Sequence, residues 1–179
     1  AIADQTTRGP SELTANSEDK TSGLDKSYAL GWSYGRTETL SLMIPNIKGG
    51  GTAALGSNKR AIEKMDPAYR ESLQNWNHYW GPKSVTSGPV YAGAIMVFLF
   101  VLGLLLLRGK FFWWILIGTL LSIFLAWGKH LPGLSHFFLE NVPLYNKFRT
   151  VEMILVIASL TVPLMGMVIL NKIILEPNL

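Results

Sequence analysis

Three long apolar runs dominate the second half of the chain. Pro89–Leu107 has 19 residues and no charge, Phe111–Trp127 has 17, and Val151–Leu170 has 20 with Glu152 as its one charged residue. At about 1.5 Å per residue, a helix over the first run spans about 28 Å, close to the hydrocarbon thickness of a bilayer. Helices of soluble proteins rarely run this long without a polar face. The pattern predicts transmembrane helices over about 89–107, 111–127 and 151–172. Aromatic rings favour the interfacial level, so Phe111–Trp114 and Trp127 mark two membrane edges. Pro163 is expected to kink the third helix. Gly118, Ser122 and Ala126 recur every four residues, either by chance or as a stripe where another helix backbone comes close.

Residues 1–88 read differently. Arg8-Gly9-Pro10 and Lys48-Gly49-Gly50-Gly51-Thr52 are turn signals, and clean strand alternation never exceeds about five residues. Within Ser57–Trp80 the apolar positions Ile62, Met65, Tyr69, Leu73 and Trp76 recur at three and four. Asp66-Pro67 interrupts that face as an N-cap followed by a proline at the first helical position. Two short helices are expected there. The glycine run lacks the GxxxxGK[ST] spacing and a leading apolar strand, so it reads as a turn and not as a P-loop. The stretch 128–150 holds two prolines and many aromatics. It is too polar to span and too apolar to hang in water, which predicts an interfacial or re-entrant loop. The expected fold is mainly α: a polytopic membrane protein fragment. It has an irregular, short-helical outer segment (1–88) and a membrane region (89–179) with three transmembrane helices.

Charge refines this picture. The chain carries a net charge of +4 with 16% charged residues. Residues 1–88 hold 10 Lys+Arg against 9 Asp+Glu, and residues 89–179 hold 6 against 3. No basic block is long enough to follow a phosphate backbone, so nucleic acid is not an expected partner. Arg108 and Lys110 flank the tip between the first two runs, and the positive-inside rule puts that tip and Lys172 in the cytoplasm. Residues 1–88 and 128–150 then face outward, although Lys129, Lys147 and Arg149 reduce the contrast. The absence of cysteine excludes disulfides and cysteine metal sites. The chain opens at Ala1 with no basic and apolar leader, which predicts no signal peptide and a piece of a longer protein.

Candidate chemistry is sparse. Lys147 and Arg149 precede the third run at the bilayer edge, where a guanidinium grips phosphate bidentately or simply snorkels to lipid head groups. Glu152 is expected to pair with Arg149 or Lys147. Trp76, His78, Tyr79 and Trp80 form either an interfacial aromatic belt or a stacking platform for a sugar ring or lipid head group. His130 and His136 lie six apart without a third ligand at metal spacing, so no metal and no other cofactor is expected in this piece.

Several strings carry a resemblance: TTRGPSELT (6–14), SGLDKSYALGWSYGRTETLSLMIPNIKGGG (22–51), YWGPKSVTSGPVYAGAI (79–95) and LPGLSHFFLENVPLYNKFRTVEMIL (131–155). Together they resemble the YfhO-type family of bacterial integral membrane proteins, most closely its Bacteroidetes-type members. The resemblance implies a much longer multi-spanning chain with a C-type glycosyltransferase fold. Such a protein uses polyprenyl-phosphate-linked sugar on the outer face of the bacterial inner membrane for cell-envelope glycosylation. The family's usual catalytic acid lies in a first outer loop that has no counterpart here, and a divalent metal is allowed only in a full-length protein. Under this reading Arg149, Lys147, Arg36, Trp76 and Trp80 become candidate substrate or lipid-phosphate contacts, and Glu38 a remote candidate for a general base. Implied partners are membrane lipids, the polyprenyl-phosphate sugar and further transmembrane helices. The competing reading is a non-catalytic accessory subunit packed beside a larger membrane complex.

Overall fold

The computed structural model describes residues 24–176. The Arg8-Gly9-Pro10 turn and the 6–14 string lie outside the described residues. Seven α-helices are described: α1 (Lys26–Ala29), α2 (Lys59–Lys64), α3 (Pro67–Leu73), α4 (Ala94–Leu106), α5 (Lys110–Ala126), α6 (Pro132–Asn141) and α7 (Leu155–Leu175). Short 3-10 turns intervene, and the only extended pairing among the described residues is an isolated bridge between Ala54 and Asn77. The chain is mainly helical, as its pattern predicts.

The apolar runs become helices with shifted ends. The first does not start at Pro89 but at Ala94, and α4 has 13 residues, about 20 Å. Gly93 stands at φ +102°, outside the helical region, and the N–H groups of Ala92 and Gly93 both donate to the Leu42 carbonyl at 3.1 Å. That tie to the outer segment holds residues 89–93 out of the helix. The second run gives the 17-residue α5. The third begins as a 3-10 turn (Val151–Ile154) and continues through α7 to Leu175, beyond the expected end at 172. By length and composition, one helix among the described residues can cross a membrane: Val151–Leu175, 25 residues with a mean hydropathy of 2.5. The helices α4 and α5 fall short of that length.

Helix α7 is the centre of the bundle and packs against both α4 and α5. Phe100, Ile115, Val162 and Met165 form a common core. Close approach needs missing side chains: a Cβ on Gly103 would lie 2.8 Å from Met165 Cγ, and one on Gly166 would lie 3.3 Å from Met96 Sδ. Ser122 and Ala126 of the small-residue stripe are buried, and a Cβ on Gly118 would touch Ile157 of α7. Thr119 and Thr161 share a hydrogen bond of 2.7 Å across the same seam.

The segment that precedes the bundle gathers at its end opposite the Arg108–Lys110 tip. Tyr34 N–H donates to Ala126 O at 2.7 Å, Ser33 Oγ accepts from Lys129 N–H at 2.9 Å, and Trp127 Nε1 donates to Thr39 Oγ1 at 2.9 Å. Tyr34, Ala126, Leu155 and Ala158 close a second core over that joint. The two expected short helices are present. Asn58 caps α2 through Ala61 N–H, and Asp66 caps α3 through Ala68 N–H with Pro67 at its first position. The loop 128–150 carries the ten-residue α6, pinned by the Ser135 hydroxyl donating to Gly128 O at 2.8 Å.

Candidate functional site

Two arrangements bring chemistry-bearing side chains together. The first surrounds Arg149. Its guanidinium lies 4.3 Å from the ring centroid of Trp32 and 4.7 Å from that of Tyr28. Both rings belong to the start of the described chain, so the clamp depends on how α1 is held. Asp25 caps α1 by accepting from Ser27 and Tyr28 N–H, and Leu24 N–H donates to Asn146 O at 2.8 Å. Ala29 and Leu30 pack with Leu139 and Val151, while Lys26 reaches Glu140 at 2.8 Å. That ion pair holds the Glu140 carboxyl below its usual range. Arg149 itself has no carboxylate or hydrogen-bond partner among the described residues. Its exposed N–H fork is therefore oriented by two aromatic rings and left available to a ligand. Leu144 and Thr150, on either side, both adopt left-handed backbone at φ +67° and +72°. A β-branched threonine rarely tolerates that conformation, and such strain persists where packing over-determines it. Leu144, Phe148 and Met153 are exposed around the clamp.

The second arrangement is a buried charge hub. Glu38 is 0% exposed. Its Oε2 accepts from Gly35 N–H at 2.7 Å and its Oε1 accepts from the Tyr79 hydroxyl at 2.6 Å. Lys83 Nζ lies 3.9 Å from Glu38 Oε1 and 2.8 Å from Glu152 Oε2. The same ammonium sits 5.0 Å from the Tyr34 ring centroid. Ser41 Oγ shares a 2.5 Å hydrogen bond with the Tyr34 hydroxyl and lies 2.6 Å from the Glu38 carbonyl. Burial, with the nearby Glu38 and Glu152 carboxylates adding to it, pushes the Tyr34 hydroxyl up to about 12 despite the Ser41 hydrogen bond. Tyr79 is also held well above the ordinary tyrosine range, first by burial and then by its bond to Glu38. Gly35 is required here because a Cβ would lie 2.8 Å from Pro82 Cγ and 3.0 Å from Glu38 Oε2.

These contacts revise several expectations. Glu152 does not pair with Arg149 or Lys147; its ion pair is with Lys83, whose buried ammonium needs a near carboxylate, while Arg149 is held by rings. Glu38 does not reach an acceptor hydroxyl as a general base would, because both its oxygens are engaged and sealed from solvent. Arg36 donates to the His130 carbonyl and lies 5.8 Å from the Trp127 ring centroid, so it ties the outer segment to the 128–130 turn. Lys147 sits in the 3-10 turn Tyr145–Lys147, two residues from Arg149. Trp76 and Trp80 are 64% and 65% exposed, and Lys48 Nζ stands 4.0 Å from the Trp80 centroid. Neither tryptophan joins the clamp or the hub. Sequence reasoning missed Lys83, Tyr28 and Trp32, and it placed Tyr79 in an aromatic cluster rather than on Glu38. The signal available for these residues was their placement inside the W-S-Y-G and Y-W-G-P-K strings or beside them. Comparison of the chain with protein-family models, curated proteins and solved structures finds no match in any of the three.

Proposed function

We propose that this chain is the lipid-phosphate-recognising part of a membrane glycosyltransferase-like protein that uses a polyprenyl-phosphate-linked sugar on the outer face of the bacterial inner membrane. The observation that carries the reading is the Arg149 clamp. A stacked guanidinium keeps its planar fork free for bidentate contact with a phosphate. Exposed Leu144, Phe148 and Met153 beside it offer an apolar surface to the attached chain. The membrane setting is supported by the outward faces of the bundle, where Ile95, Phe98, Leu105, Trp114, Val156 and Leu160 are all exposed. Soluble monomers rarely carry contiguous apolar surface on that scale. In this reading α4 and α5 are the two shorter spans of a three-helix group completed by further helices.

The test is binding of undecaprenyl phosphate, against undecaprenol of the same length, to the protein in phosphatidylcholine nanodiscs. The phosphate form is expected to bind at least ten-fold more tightly, and Arg149→Ala to remove that preference. Equal binding of the two lipids, or an unchanged preference in Arg149→Ala, overturns it. The same exposed apolar faces also favour a second reading, an accessory subunit whose helices fill an interface. Stoichiometric co-purification with a larger membrane complex, together with no lipid-phosphate preference, selects that one.

A further inference from the structure

A wide, open cleft of about 680 Å³ lies between residues 46 and 87 and is lined by no residue of the clamp or the hub. Gly50, Gly51, Asn58, Lys59, Arg60 and His78 are among the residues that line it. The volume lies in the range of small-molecule sites. The lining is polar or small throughout, with two exposed cations, Lys59 and Arg60, and no carboxylate.

The turn is built for close approach. Gly49 and Gly50 adopt φ +89° and +84°, and a Cβ on Gly49 would fall 1.9 Å from the His78 carbonyl oxygen. Only glycine lets the turn lie on the 76–80 segment this way. That segment is fixed against it by His78 N–H donating to Ala53 O at 2.7 Å and Trp80 N–H donating to Lys48 O at 3.1 Å. Gly49 N–H is taken by the Asn46 carbonyl, and Thr52 N–H by Thr86 O. Between them, the N–H groups of Gly50 and Gly51 have no acceptor among the described residues. Successive unpaired N–H groups in a glycine turn attract an anion. Asn58 uses its side-chain oxygen to cap α2, which leaves its amide N–H groups as further donors. Trp80 abuts the turn, its Cδ1 being 3.2 Å from where a Gly49 Cβ would stand, and carries Lys48 over its ring.

From the donors and cations of this lining, with an exposed indole beside Gly49 at its border, we infer that the cleft binds a soluble sugar phosphate. The phosphate lies between the Gly50–Gly51 N–H groups and the Lys59 and Arg60 side chains, and the sugar lies toward Trp80. A lipid chain does not fit a lining without large apolar side chains. This site shares no residue with the Arg149 clamp, so it stands or falls independently of the proposed lipid-phosphate site.

Equilibrium dialysis of the full chain in phosphatidylcholine nanodiscs, with labelled glucose 1-phosphate, inorganic phosphate and glucose, tests it. Saturable binding is expected for glucose 1-phosphate, at least ten-fold tighter than for the other two. The double variant Lys59→Gln, Arg60→Gln is expected to weaken it at least ten-fold at unchanged thermal stability, while Arg149→Ala leaves it unchanged. No saturable binding, equal binding of inorganic phosphate, persistence in the double variant, or loss in Arg149→Ala overturns the inference.

Discussion

Lys83 Nζ stands 2.8 Å from Glu152 Oε2, joining the segment before the bundle to the first turn of the longest apolar helix. Its side chain is 2% exposed, and it also faces Glu38 at 3.9 Å. Two carboxylates and one ammonium therefore share a largely dry pocket, with the Tyr79 and Gly35 hydrogen bonds offsetting the excess negative charge. Removing the cation strands both acids. Lys83→Met is expected to cost about 3–5 kcal/mol of stability, the usual effect of breaking a buried ion pair from one side. Adding Glu38→Gln should recover part of that loss, because the stranded charge is then absent. Thermal unfolding of the three variants in detergent checks both halves. An unchanged midpoint in Lys83→Met would remove the hub as the joint.

The role of the rings around Arg149 can be separated from that of its charge. Trp32→Leu keeps a bulky apolar residue under the guanidinium but removes the π face. A cation–π contact is worth about 0.5–2 kcal/mol, which corresponds to about 2–30-fold in affinity. Undecaprenyl phosphate should therefore bind Trp32→Leu more weakly by a factor in that range. Arg149→Lys should lose more, because a point charge cannot reproduce a bidentate fork. Titration in nanodiscs orders the two variants, and a Trp32→Leu weaker than Arg149→Lys would contradict the clamp.

Local chemistry was legible and distant pairing was not. Asp66-Pro67 announces the start of α3 because a cap involves neighbours in sequence, and the apolar runs announce helices because their period repeats along one segment. The Gly118–Ser122–Ala126 stripe likewise sits on the seam with α7. The start of α4 was misplaced because Gly93 and Ala92 are held by the Leu42 carbonyl, from a part of the chain with no apolar pattern. Arg149 was visible by its position just before the third apolar run. Its clamp was not, since Tyr28 and Trp32 lie more than a hundred residues upstream. Lys83 drew no attention for the same reason: its partner Glu152 is 69 residues away.

Gly128 marks the corner between α5 and α6 and is a sensitive point of the joint. It adopts φ +47°, and a Cβ there would fall 2.1 Å from Ser33 Oγ and 2.8 Å from Val151 Cγ2. Ser33 Oγ cannot retreat without breaking its bonds to Leu30 O and Lys129 N–H. Left-handed backbone alone costs a non-glycine residue about 1–3 kcal/mol, and the clash adds to it. Gly128→Ala is expected to lower the unfolding midpoint and to expose the 24–42 segment to protease. Gly133→Ala, with open space at its Cβ, is the control and should leave both unchanged. Equal protease resistance in the two variants would show that the corner tolerates a side chain.

The pH dependence of stability should carry a signature of His130. Its Nε2 is buried without a hydrogen-bond partner among the described residues, and its pKa is lowered, first by burial and then by the neighbouring Lys129 and Arg36, with Glu38 opposing. In the unfolded chain the same imidazole takes up a proton near its ordinary value of about 6.5. Below that value the unfolded state binds more protons than the folded one, so stability is full above it and falls as the pH drops through the folded pKa. Unfolding midpoints measured between neutral pH and about pH 5 should decline for the wild-type protein. His130→Leu should flatten that decline, since the Arg36 contact is to the backbone carbonyl and survives the change. An identical slope in His130→Leu would assign the acid sensitivity to another group.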